Sequence, residues 1–311
     1  MAANFPLGTL ILPEPARTEA WRRWRAELDC DALSYECQQT LPALACCLPR
    51  WLEGDDCAAR IQGIVKMAWS RNQVRLHKAA ELHHALLGAS VTPVAITGPL
   101  AWSLLAREEG SIRTIPDITI LIPRYHVFKA VSALANQGWE LGGLSPDSDT
   151  LDWSSNLALA KDEVTLHLHW RLSATSAEKA IEFEHALMER LRSVVWNGHE
   201  FQALSPEADL LHRLTDRPSW DPVPWQADVL MMSLLDIDWR RLAKLAEEFV
   251  FCFEPLNVLG RLMELRRDWQ LPIPELDPAS GRPISNAMAP AVVNHLRFAK
   301  LRAWGRFLWR P

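Results

Sequence analysis

Val94-Ala95-Ile96-Thr97-Gly98-Pro99, followed by Pro116-Asp117-Ile118-Thr119-Ile120-Leu121-Ile122-Pro123, is the stretch around which the chain is arranged. It reads as a short apolar strand (94–96), a glycine turn, a helix from Leu100 to about Glu109, and a second strand (117–122) that opens on an acid. Side chains alternate along a strand, so Asp117 and Thr119 share one face while Ile118, Ile120 and Ile122 share the other. Acids at both polar positions would grip Mg²⁺; the second position holds Thr119 instead. Gly98 lets the backbone turn tightly and would let a phosphate approach without a Cβ in the way. Pro99 suits the first turn of the helix that follows.

Outward from that stretch, the alternation is equally strict along Val164-Thr165-Leu166-His167-Leu168-His169-Trp170-Arg171-Leu172. Val164, Leu166, Leu168 and Trp170 form an apolar face, and Thr165, His167, His169 and Arg171 a polar one. Residues 156–160 and 163–172 read as a hairpin, and Trp139-Glu140-Leu141 as a further strand. Residues 142–150 read as a polar turn, after a helix from Arg124 to Gln137 that Gly138 stops.

Both flanks read as helical. Trp21, Trp24 and Leu28 recur at three- and four-residue steps; a second helical stretch covers 31–53, and a long helix runs from about Asp56 to Gly88. His77, His83 and His84 lie on the long helix and read as surface or capping residues, since adjacent His83 and His84 diverge too widely to share a ligand. Further helices are expected over Glu178–Val195, from Ser205-Pro206-Glu207 onward, and over Asp221–Leu235, Asp238–Phe253 and Leu256–Trp269. Residues 271–290 are a proline-rich linker. The segment 291–311 has no acid; its arginines 302, 306 and 310 and its apolar Phe298, Leu301, Trp304 and Leu308 describe a basic amphipathic helix. Docking on the protein's own body is the expectation for it, with peripheral contact to an anionic membrane as the alternative.

Composition narrows the class. A net charge of −5 over 311 residues argues against a general nucleic-acid coat. The 15 tryptophans read mainly as core filler, because one indole buries a large area. Six cysteines without CxxC spacing give weak support for zinc, and free buried thiols in a reducing compartment are expected. No secretion signal and no transmembrane run is evident, so a cytoplasmic location is expected.

These residues carry a resemblance. The central stretch resembles the uncharacterised bacterial nucleotidyltransferase family of the DNA-polymerase-beta-like superfamily. Members read Lys-Gly at a strand end, then Arg-x-x-x-Asp-h-Asp followed by hydrophobic residues, then Glu-h-His-Trp-Arg-Leu. Thr97-Gly98, Arg113-Thr114-Ile115-Pro116-Asp117-Ile118-Thr119 and His167-Leu168-His169-Trp170-Arg171-Leu172 stand at these places. Asn72, Asp236-Ile237-Asp238-Trp239, Leu245-Ala246 and Leu271-Pro272-Ile273-Pro274 agree with the family's flanks, so the resemblance covers about 40–275.

The resemblance implies an α+β fold: a small mixed-sheet nucleotidyltransferase core flanked by N- and C-terminal helical regions. The expected divisions are 1–90, 91–200, 201–275 and 276–311. In active members three acids hold two Mg²⁺ ions that bind a nucleoside triphosphate. Here Asp117 matches the first acid, Thr119 replaces the second, His167 the third, and Thr97 the lysine. Two missing carboxylates each remove several kcal/mol of attraction for the cation, even at an effective dielectric of ~20. Mg²⁺ is therefore a weakened cofactor, with Zn²⁺ or Mn²⁺ as alternatives.

The preferred expectation is a catalytically degenerate member, a pseudoenzyme that binds a nucleotide or a protein or peptide partner in a biosynthetic or regulatory complex. The alternative is an active metal-dependent enzyme transferring a nucleotide to a protein, peptide, sugar or small acceptor. In it Thr97, Gly98, Arg113 and Arg171 would hold the nucleotide, and Asp117, Thr119 and His167 the catalytic centre. A third expectation is a transition-metal site at Asp117, His167 and His169.

Overall fold

The computed structural model of the chain describes residues 9, 14–44, 51–105, 114–143, 146–172, 177–215, 227–229, 232 and 237–248. A seven-stranded mixed sheet lies at the centre, in the order β3-β4-β5-β2-β1-β7-β6. The strands are β1 (Ala95–Ile96), β2 (Ile118–Leu121), β3 (Glu140–Leu141), β4 (Asn156–Lys161), β5 (Val164–His169), β6 (Arg192–Trp196) and β7 (His199–Ala203). Around them are α1 (Ala16–Glu27), α2 (Tyr35–Thr40), α3 (Ala58–Gly88), α4 (Gly98–Leu105), α5 (Val127–Asn136), α6 (Ser148–Trp153), α7 (Ala177–Met188), α8 (Pro206–Thr215) and α9 (Trp239–Glu248). This is the α+β class that the family resemblance implies.

The sheet separates two apolar cores. Ile96, Ile118, Ile120, Leu166, Leu168, Phe201 and Ala203 turn to one side and pack with Leu76, Leu82 and Leu86 of α3 and with Val127 and Leu134 of α5. On the other side Ala95 and Leu121 join a cluster of Trp21, Trp24, Ile61, Val65, Phe183, Leu210 and Leu211. Helix α3 enters both cores, with Ile61 to Val65 in one and Leu76 to Leu86 in the other. Burial of a leucine or isoleucine contributes about 1.5–3 kcal/mol, so this helix couples the N-terminal helices to the sheet. Buried Asn72, between its two apolar stretches, accepts the Ile115 amide at 2.8 Å and fixes the approach to β2.

Several expectations are corrected. In the stretch 31–53 the described residues hold α2, a 3-10 turn over Leu41–Leu44 and a helical Trp51, with 45–50 outside the described residues. Residues 148–150, expected at the end of a polar turn, instead open α6, where Asp147 and Thr150 make a reciprocal capping box. The helix expected over Glu178–Val195 stops at Met188, and Arg192–Trp196 is a strand. It pairs antiparallel with β7 through Asn197-Gly198, whose φ values of 47 and 78° suit a two-residue hairpin turn. Cys30 and Cys57 form a disulfide with Cα atoms 5.9 Å apart, where free thiols were expected, and Cys37 is a buried thiol outside that disulfide. The sequence has no way to show which of six cysteines meet. His83 is buried, not at the surface. Arg113, the segments 256–269 and 271–290, and the basic segment 291–311 lie outside the described residues. Among the described residues no helix is long and apolar enough to cross a membrane.

Candidate functional site

Register brings the expected residues into one row. β1 runs antiparallel to β2, and β2 parallel to β5. The Thr97 amide donates to the Thr119 carbonyl at 3.1 Å, and Thr119 is the Cα partner of His167. Thr97, Thr119 and His167 therefore stand side by side on three adjacent strands. Asp117, just before β2, reaches the same place: its Oδ2 lies 3.6 Å from His167 Nε2. Both side chains keep about a third of their surface open, at 37% and 35%.

A cation from α3 completes this corner. Arg75 donates from Nε to the Pro116 carbonyl at 3.0 Å, and its guanidinium sits beside Asp117. Burial lowers the Arg75 pKa, Asp117 acts against that, and neighbouring Arg71 reinforces it. Sequence reading missed Arg75. Its signal was the Arg71-Asn72-x-x-Arg75 spacing, which sets two cations four residues apart on one helix face.

The glycine turn is engaged by the protein itself. Gly98 has φ +69°, with nothing within 4 Å of where a Cβ would stand. Its amide donates to both carboxylate oxygens of Asp209, at 3.2 and 3.0 Å, and the Thr97 hydroxyl donates to Oδ1 at 2.7 Å. Asp209 comes from the first turn of α8 and is 1% exposed. Burial pushes its carboxyl above the usual range, against the pull of Thr97, His212, Gly98 and Arg213. The amide expected to meet a phosphate thus meets an internal carboxylate. An acid behind Ser205-Pro206 was readable only as an N-terminal helix charge, so its reach to Gly98 was not legible.

The remaining candidates divide. His169 lies along β5 from His167 with ring centroids 6.4 Å apart, and its Nδ1 is buried without a hydrogen-bond partner. Burial, with His212 and His167 nearby, lowers its pKa to about 3. The Asp117, His167 and His169 ligand atoms do not gather: among the described residues the one three-ligand group within 4.8 Å is Asp55, Asp56 and Cys57. Of the three expected ligands, Asp117 and His167 meet, and His169 does not gather with them. The Asp55 group is no better a cage, since Cys57 is in the disulfide and Arg25 pairs with both aspartates. The Arg171 guanidinium donates to the Asp152 and Ser154 carbonyls at 3.3 and 3.2 Å. A cavity of 580 Å³ lies off the other end of β2, lined by Pro123, Tyr125, Phe128, Trp170, Ile181 and Met188 among others.

The mixed sheet, with its glycine turn after β1 and its acid ahead of β2, defines the nucleotidyltransferase class of fold. The family described as "Uncharacterised nucleotidyltransferase" matches residues 36–250, and the chain belongs to it. None of the curated proteins matches in sequence. Among solved structures, the crystal structure of ANT(2")-Ia in complex with adenylyl-2"-tobramycin is similar with a TM-score of 0.41 and 11% identity. That alignment covers 57% of this chain and 97% of the other. The solution structure of the antibiotic-resistance factor ANT(2'')-Ia is similar with a TM-score of 0.36 and 17% identity, over 62% of this chain and 97% of that one. Likeness at that level carries no argument about chemistry here.

Proposed function

We propose that this family member has given up nucleotide transfer and acts by binding, with a protein or peptide as its partner. The observation that carries the reading is the Asp209 carboxylate on the Gly98 amide and Thr97 hydroxyl. Two donors of the turn that would face phosphate are already bound to an internal acid. A triphosphate would have to displace this buried, hydrogen-bonded group, in a region where an unmade hydrogen bond is costly.

The metal side of the row supports the same reading. Of Thr97, Asp117, Thr119 and His167, only Asp117 is an acid. Mg²⁺ prefers anionic oxygen in octahedral geometry, and a threonine hydroxyl and a neutral imidazole are poor replacements. Were a divalent ion to bind, Asp117 and His167 would hold it, and it would supply charge to neutralise a phosphate. The pair suits Mn²⁺ or Zn²⁺ better than Mg²⁺.

Active transfer is the competing reading, favoured by one feature: Asp117 remains partly open to solvent beside Arg75. Labelled-nucleotide transfer from ATP, GTP, CTP and UTP, with Mg²⁺, Mn²⁺ and Zn²⁺ in turn, separates the two. The binding account expects no transfer. Transfer that disappears in Asp117→Ala overturns it.

A further inference from the structure

On the opposite face of the sheet a second pair of imidazoles meets. His83 of α3 and His199 at the start of β7 approach with His83 Nδ1 3.1 Å from His199 Nε2. Their ring planes are nearly perpendicular, at 83°. Phe201 lies against both rings, with centroids 5.4 Å from His83 and 4.5 Å from His199. One ring is buried in the core and the other is half-buried at the rim.

The contact between the two rings leaves His83 Nε2 outside it. One ring must donate and the other accept. His83 Nε2 is buried without a hydrogen-bond partner. If Nδ1 donates to His199, Nε2 is a bare buried lone pair; if Nδ1 accepts, Nε2 carries a buried proton with no acceptor in good geometry. The Val94 backbone stands by the His83 ring and favours a proton there.

We infer that His83 and His199 form a two-histidine site for a divalent transition ion of the Zn²⁺, Ni²⁺ and Cu²⁺ group. Ligand bonds of about 2.0–2.1 Å in tetrahedral zinc sites set neighbouring ligand atoms roughly 3.3 Å apart, close to the separation seen. An ion on Nδ1 of His83 would fix the tautomer with its proton on Nε2. No acid belongs to the pair, so the site selects nitrogen-seeking ions over Mg²⁺ or Ca²⁺. Water completes the shell from the His199 side. The ion would tie α3 to the β6–β7 hairpin, which otherwise sits at the sheet edge. This site is separate from the Asp117 row and does not depend on the reading of that row.

The experiment titrates tag-free, chelator-treated full-length protein with Zn²⁺, Ni²⁺ and Cu²⁺ by calorimetry. It records the nitrogen hyperfine pattern of the Cu²⁺ form by electron paramagnetic resonance. The expected result is one ion per chain, a two-nitrogen pattern, and a raised unfolding temperature with Zn²⁺. His199→Ala, at the rim, should weaken binding at least tenfold and abolish the temperature rise, while exposed His77→Ala changes neither. His83→Gln should behave like His199→Ala if it folds. Equal binding by native protein and His199→Ala, no binding below millimolar concentration, or loss of binding with His167→Ala instead, would each overturn the assignment.

Discussion

The two faces of the central sheet use the same alternation for opposite ends. On one, Ile96, Ile118, Ile120, Leu166 and Leu168 close against α3 and α5, and every one of these side chains is essentially inaccessible. On the other, the intervening residues Thr97, Thr119, His167 and His169 are polar, and the apolar cluster resumes only at Ala95 and Leu121. A one-residue shift in register would exchange the faces. The apolar side therefore holds the register that assembles the polar row, and the row itself is free to change chemistry without endangering the fold. That freedom lets polar positions such as Thr119 and His167 vary while the strands remain in place.

Substitutions on the two faces should differ most. Leu168→Ala leaves a cavity in the sealed core and should cost about 2–5 kcal/mol in urea unfolding. Thr119→Ala, one residue over from the sealed positions, should stay within about 1 kcal/mol. Near-equal losses would break the comparison. Asp209→Ala should cost about 1–3 kcal/mol, because Gly98 N–H and the Thr97 hydroxyl lose their acceptor. If stability is unchanged, the carboxylate is not holding the turn.

A pH effect should follow from histidines on both faces. Burial lowers the pKa of His83 to about 4 and that of His169 to about 3, against an ordinary 6.5. The unfolded chain takes up these protons before the folded one does. In metal-free protein their contribution is therefore fully present above about pH 6.5 and is lost as pH falls, toward about 4 for His83 and about 3 for His169. His169→Gln should flatten that part of the urea-midpoint profile, and an unchanged profile would count against a buried neutral imidazole. The smallest effect belongs to the hairpin: Gly198→Ala, at φ 78°, should cost about 1 kcal/mol, read as a small drop in unfolding temperature.

Legibility in the sequence followed the same division. The strict alternation of 164–172 and the acid-led pattern of 117–122 gave two strands, and the family resemblance, not the alternation, implied that Asp117, Thr119 and His167 meet. Asn197-Gly198 was an equally plain hairpin signal, but the helical pattern ahead of it masked the strand Arg192–Trp196. Contacts between distant segments were not legible. Neither Asp209 meeting Gly98 across 111 residues nor His199 meeting His83 across 116 leaves a local pattern, because each depends on how helices settle on the sheet. Buried Asn72 was noticed as a flank, yet its bond to Ile115 could be known only from the packing.

The most direct test is calorimetric titration of the native protein and of Asp209→Ser with MgATP and MnATP. With the internal carboxylate on the Gly98 amide, the native protein should show no binding below millimolar nucleotide, and removing that acid should strengthen binding at least tenfold. Tight native binding that Asp209→Ser leaves unchanged or weakens would contradict the claim that this protein's own acid occupies the turn meant for phosphate.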